Sequence, residues 1–202
     1  MNLNDAIAHL RLEPNIKGLI DQIDAFEMKV SNKIYFNLLE SIVSQQLSVK
    51  VADVIFARFL TLFPDQYPDP DKLLALDIEI LRGVGLSYQK ANYLQNVARF
   101  SLEHQIEHKQ WDSMSDDEII AFLTQIKGVG KWTVEMLLMF TFGRLDILPV
   151  DDLGIQQGMI KLFDLDASNP KLLKQKMIEM AEPWRPYRTV ASRYIWRYKD
   201  TV

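Results

Sequence analysis

Cysteine is missing from the 202-residue chain, which excludes disulfides, iron–sulfur clusters and thiolate zinc sites. Histidine is scarce. His9, His104 and His108 lack metal-ligand spacing, and Glu103 and Glu107 beside the last two mark an exposed helix face. No apolar run reaches the roughly 18 residues of a membrane-spanning helix. The start, Met1-Asn2-Leu3-Asn4-Asp5, has no basic leader, so the chain reads as soluble and intracellular. Period-two alternation of apolar residues is also lacking, which excludes an exposed sheet. Acids are absent from Trp184 to Lys199, a run that carries Arg185, Arg188, Arg193, Arg197 and Lys199. The net charge of −4 argues against nucleic acid only for a uniformly charged ball. This run offers either a phosphate-binding face or a solvated basic helix.

What remains is helical. Apolar spacing predicts helices over 4–12, 16–26, 35–43 and 49–63, then 71–76, 78–82 and 88–105. Further helices follow over 119–125, 134–142, 153–162 (its later part read as 156–163), 170–181 and 187–199. About ten helices and no sheet make the class all-α. Ser48 and Ser87 are candidate N-caps, and Ser115 with Glu118 forms a capping box. Ser44-Gln45-Gln46-Leu47-Ser48 breaks an apolar helix with two amides, which is either a plain cap-and-turn or a polar loop aimed at a ligand. Gly83-Val84-Gly85 echoes a second Gly-Val-Gly later in the chain.

That second unit lies in the stretch that organises the rest, Leu123 to Asp152. Ile126-Lys127-Gly128-Val129-Gly130-Lys131-Trp132-Thr133 joins two helical runs. Glycine takes positive φ freely and lets a foreign backbone approach. The following helix start offers amides and partial positive charge, an anion site suited to phosphate. The stretch ends in Asp151 and Asp152, which open the next helix. Taken alone, a Gly-x-Gly turn is common and an Asp at a helix start is commonly an N-cap.

Four motifs together carry a resemblance. Leu123-x-x-Ile126-x-Gly128-Val129-Gly130-x-x-Thr133 followed by Pro149-Val150-Asp151-Asp152 resembles the helix-hairpin-helix DNA glycosylase superfamily. Ile42-to-Ser48, Leu81-to-Ala91 and Ala181-to-Arg188 with Tyr194-Ile195-Trp196 are similar to its 3-methyladenine DNA glycosylase II branch. The resemblance covers roughly residues 30–200 and implies a compact single domain of two lobes with a cleft between them. One lobe is 35–150, with the hairpin at 119–142; the other is 1–34 plus 151–202.

The resemblance assigns roles. Asp152 matches the catalytic carboxylate, with Asp151 a structural neighbour. Trp132 and Tyr187 match aromatics that line the base pocket, and Tyr35 and Phe36 lie near it. Gln46 matches the residue that plugs the duplex, with Gln45 and Leu47 alongside. Gly128, Gly130, Lys131 and Thr133 match the phosphate-binding hairpin. A sodium or potassium ion near Ile126 and Gly128 accompanies that hairpin in related enzymes; no catalytic metal or other cofactor is implied. The implied partner is double-stranded DNA with alkylated bases. The implied protein is a monomer in a prokaryotic cytoplasm or a eukaryotic nucleus. Relatives that also cut the strand carry a Lys where this chain has Trp132, and Lys131 is one place early, about 100° around the helix. The resemblance therefore implies a monofunctional hydrolase. For Trp132 and Tyr187 core packing is the competing reading, and for Trp184 and Trp196 it is the preferred one. The competing function is a non-catalytic helix-hairpin-helix DNA-binding module, which would need neither the aromatic beside the hairpin nor the Gln-Gln loop.

Overall fold

The computed structural model describes residues 3–28 and 30–200, with the side chain of Asp200 excepted. Met1 and Asn2, which belong to the reading of the amino terminus, and Lys29 lie outside the described residues. The helices in chain order are α1 (Leu3–Leu10), α2 (Pro14–Gln22), α3 (Ile34–Ser44), α4 (Val49–Leu60), α5 (Pro70–Ala75), α6 (Ile78–Gly83), α7 (Tyr88–His104), α8 (Asp116–Leu123), α9 (Lys131–Phe140), α10 (Leu153–Phe163), α11 (Pro170–Ala181) and α12 (Arg188–Asp200). Four short 3₁₀ turns complete the list, and no strand occurs among the described residues. The fold is all-α, with twelve α-helices among the described residues, one for each range named from the sequence; α5 and α6 are one short turn-and-a-half each. No described helix is long and apolar enough to cross a membrane.

Local chemistry sets the helix starts. Asp69, Asp77, Ser87, Asp152 and Asn169 each accept hydrogen bonds from first-turn amides. Ser115 and Glu118 form the expected capping box. Pro14, Pro70 and Pro170 sit at first positions, where a missing amide costs nothing. Ser48 stands at the start of α4 as expected, but its side chain makes no capping bond. α2 stops at Gln22 and not at Phe26, because Ile23 is already extended.

The chain divides into two units: Ser31–Leu137, and Met1–Val30 with Leu138–Val202. The sequence boundaries at 34/35 and 150/151 are drawn instead at 30/31 and 137/138. The end of α9 goes with the discontinuous unit, where Phe140 stacks on Trp196 with ring centres 5.9 Å apart.

In the continuous unit, α3 buries Tyr35, Leu38, Leu39, Ile42 and Val43, one apolar stripe at helical spacing. In the discontinuous unit the core gathers Leu10 and Ile16 from the amino-terminal helices with Met159, Met177, Trp184, Tyr194 and Ile195. α10 meets α12 at Gly158, where an added Cβ would stand 2.4 Å from Ile195 Cγ2. Trp184 is buried in this core, as expected from sequence.

Candidate nucleic-acid interface and catalytic carboxylate

The hairpin belongs to the continuous unit. α8 ends at Leu123, and Ile126 and Val129 turn inward, 3% and 5% exposed, pinning the loop. Gly128 has φ +110°, and a Cβ there would fall 2.2 Å from Tyr93 Cγ. Only glycine satisfies both conditions. At Gly130 no neighbouring atom lies within 4 Å of an added Cβ, so that side of the backbone is open to an approaching chain. α9 begins at once, at Lys131 and not at Val134, and Val134 N–H donates to Gly130 O. Its amino end brings partial positive charge to the same place. Asn96 steadies the loop by donating to Lys127 O at 3.1 Å.

Lys131 is exposed and reaches back to the buried Glu135 carboxylate at 3.3 Å. Thr133 is only 2% exposed, and its hydroxyl accepts from Gln45 Nε2 at 3.2 Å. The expected phosphate contact at Thr133 is therefore open to its backbone alone. Trp132 is half-buried.

The Gln-Gln loop is a tight turn. Leu47 N–H donates to Ser44 O at 3.2 Å, Gln45 has φ −51° and ψ 128°, and Gln46 has φ +60°. These are the angles of a type II turn with glutamine where glycine is usual. Gln46 and Leu47 are exposed. Gln45 is not: its amide also donates to Gly128 O at 3.2 Å, so it ties the turn to the hairpin and is no plug.

Tyr35 needs a correction as a pocket residue. It has no exposed surface, its hydroxyl donates to Pro68 O at 2.7 Å, and burial pushes its ionisation upward. It offers no face to a base. Phe36 is half-buried, edge-on to Phe56 and parallel to Tyr67.

The carboxylates belong to the discontinuous unit. Pro149 to Asp152 form a turn closed by Asp152 N–H to Pro149 O at 3.0 Å. Asp151 is exposed and pairs with Lys174. Asp152 is half-buried and caps α10: its Oδ1 accepts from Ile155 N–H at 2.8 Å. The same oxygen accepts from the Trp196 indole at 2.7 Å. Trp196 is thus no plain core residue but the second fixture of the carboxylate, and sequence reasoning missed it. Gly154 makes room for it, since a Cβ there would stand 2.9 Å from Trp196 Cδ1. Tyr187 is half-buried, edge-on to the His9 ring at 5.4 Å.

The basic run is spent within its own unit. Arg185 and Arg188 pair with Asp146 at 2.5 and 2.7 Å. Arg193 and Arg197 flank the Phe26 ring at 4.2 and 4.5 Å and donate to Glu27 O and Asp24 O. Each of these arginines has a partner within the unit. Arg193 and Arg197 hold Asp24 to Glu27 against α12, while Arg185 and Arg188 hold Asp146.

Comparison with known proteins adds to this geometry. Residues 39–186 match the family model of the HhH-GPD superfamily base excision DNA repair proteins. The chain is 36% identical over 203 residues to DNA-3-methyladenine glycosylase 1 of Schizosaccharomyces pombe, covering 97% of this chain and 87% of that protein. The solved structure of the S. pombe 3-methyladenine DNA glycosylase in complex with abasic DNA superposes with a TM-score of 0.84 at 34% identity, over 96% of this chain and 95% of that one. A DNA-3-methyladenine glycosidase from Bacillus halodurans gives a TM-score of 0.81 at 31% identity, over 96% and 88% of the two chains.

Proposed function

From its place in the HhH-GPD superfamily of base excision DNA repair proteins, to which the chain belongs, we propose that it is a monofunctional DNA glycosylase. It hydrolyses the N-glycosidic bond of N-alkylated purines, 3-methyladenine and 7-methylguanine among them, in duplex DNA. The observation that carries the reading is the Asp152 carboxylate, fixed at one oxygen by the Ile155 amide and the Trp196 indole.

The reaction follows from the residues. A glycosidic bond inside a stacked duplex is out of reach, so the nucleotide rotates out at a cost of a few kcal/mol. The amides at the Gly130 end of α9 hold a backbone phosphate and set register without reading sequence. Gln46, at the exposed corner of its turn, fills the vacated space. Breaking the C1′–N bond builds positive charge on the sugar, and a pre-positioned carboxylate stabilises it. Asp152 also orients the attacking water. An alkylated purine is already cationic, so it departs without a second acid. It stacks on Trp132 and Tyr187 by cation–π attraction of about 0.5–2 kcal/mol each. No amine stands at position 132 to form a Schiff base, and Lys131 is engaged with Glu135.

The carbonyls of Ile126 and Gly128 each accept one hydrogen bond and keep a second lone pair, which fits a sodium or potassium ion at the hairpin. Such an ion would brace the loop. The protein works as a monomer on chromosomal DNA, in a prokaryotic cytoplasm or a nucleus.

The test is direct. Methylated duplex DNA is incubated with the protein and the freed bases are identified chromatographically. Free methylated purines with an uncut strand are expected; no released base, or a borohydride-trapped covalent adduct, would overturn the proposal.

A further inference from the structure

We propose that Lys90 is a positioning residue for the Gln46 plug, holding the Gln45–Gln46 turn set for insertion. The inference rests on the glycosylase reading above and adds to it a device in the continuous unit.

The last carbonyls of a helix have no partner within it. At the end of α3, the Lys90 ammonium donates to Val43 O and to Gln45 O, both at 2.7 Å. The two carbonyls stand on either side of Ser44, where the helix gives way to the turn. Charge-assisted bonds of this kind are the stronger class. They act on a backbone that needs them. Gln46 occupies a left-handed corner that disfavours any residue with a Cβ. Beside it lies a cavity of about 240 Å³ lined by Gln45, Gln46, Leu47, Gly85, Ser87 and Lys90. A strained corner next to empty space has somewhere to relax, and packing does not prevent it. The Lys90 clasp on the backbone does, together with the Gln45 side chain's bonds to Gly128 O and Thr133 Oγ1.

Lys90 is itself well anchored. Gly85 at φ +105° turns the chain out of α6, and the Ser87 hydroxyl accepts from Lys90 N–H at 3.2 Å to start α7. Burial lowers the ammonium's proton affinity.

A preset plug matters where a base must leave a stacked pair. A loose one must be ordered at each insertion, which slows eversion. Where the lesion already lacks a partner, ordering the plug matters less. Lys90→Met keeps the stem and removes the ammonium. Single-turnover release is measured for a methylated purine in a fully paired duplex and for the same lesion opposite an abasic site. The ratio of the second rate to the first is expected to rise at least about tenfold in the variant, which loses both charge-assisted bonds. Lys90→Arg, which can still donate twice, should restore most of it. In a Gln46→Ala background Lys90→Met should change the ratio by less than about twofold, because the two act through one element. Lys90→Gln serves the same comparison if the methionine variant does not fold. An unchanged ratio, or full additivity with Gln46→Ala, overturns the role of Lys90. Absence of release by the unaltered protein on both substrates would instead refute the glycosylase reading.

Discussion

Replacing Trp196 by Phe tests the carboxylate's setting without touching the carboxylate. The indole N–H meets Asp152 Oδ1 at 2.7 Å, and the ring stacks on Phe140 at an interplanar angle of 27°. Phe keeps a ring for the stack and removes the donor. A hydrogen bond to a charged group contributes about 1.5–3 kcal/mol. The Ile155 amide remains, so Asp152 stays near the helix start but gains freedom to rotate. If the lost bond is expressed in the transition state, base release slows about 10- to 100-fold at ~1.36 kcal/mol per decade. Single-turnover release from methylated duplex reads this directly. A thermal melt run beside it separates out the packing loss, about 1 kcal/mol for a half-buried ring. Gly154→Ala reaches the same pair from the other side. Its Cβ would stand 2.9 Å from Trp196 Cδ1 and 3.1 Å from Asp152 Oδ1, wedging donor from acceptor. Release by Trp196→Phe at the unaltered rate, with stability intact, would refute the claim that the indole sets the carboxylate.

Asp152→Asn should keep DNA binding and lose at least ~100-fold in release, about 2.7 kcal/mol of barrier; filter binding with chromatography of freed base checks both. Gly128→Ala forces a Cβ into Tyr93 at positive φ and should lower the melting temperature by several degrees or prevent folding. Gly130→Ala meets open space, so the melt should hold while affinity for duplex DNA falls, read at several salt concentrations. The Glu118 carboxyl is held below its ordinary value of 4.5 by the Ser115 amide and hydroxyl. A depressed folded value means its contribution is present above 4.5 and is lost as pH falls through the folded value. Glu118→Gln should therefore melt lower than the parent at pH 7, with the gap closing as pH falls below 4.5 and through the depressed folded value.

The hairpin was legible because its chemistry is local. A turn that needs positive φ writes itself as Gly128, and an open approach as Gly130. The echo was legible in kind but misread in register. Matching letters pair Gly83-Val84-Gly85 with Gly128-Val129-Gly130, whereas conformation pairs the positive-φ residues Gly85 and Gly128. Leu86 then answers Val129, and Ser87 answers Gly130 as the residue before a helix. Partners distant in the chain left no such mark. Trp196 finds Asp152 from 44 residues away, and Lys90 finds Gln45 from 45. One signal was there to be read: Gly154 and Gly158, one turn apart, strip a face of α10 where Trp196 and Ile195 press in. The basic run misled because its arginines serve Asp146 and Phe26, and composition cannot tell an arginine spent on its own chain from one offered to a phosphate.

The discontinuous unit imposes an order on synthesis at the ribosome. Residues 31–137 form one compact unit and are all synthesised before the second segment of the other unit. Leu10 and Ile16 must wait for Tyr194 and Ile195, which share their core and are made long after them. Until then the apolar faces of α1 and α2 lack the rest of their core. Asp152 likewise lacks its indole partner until Trp196, 44 residues further on, leaves the exit tunnel.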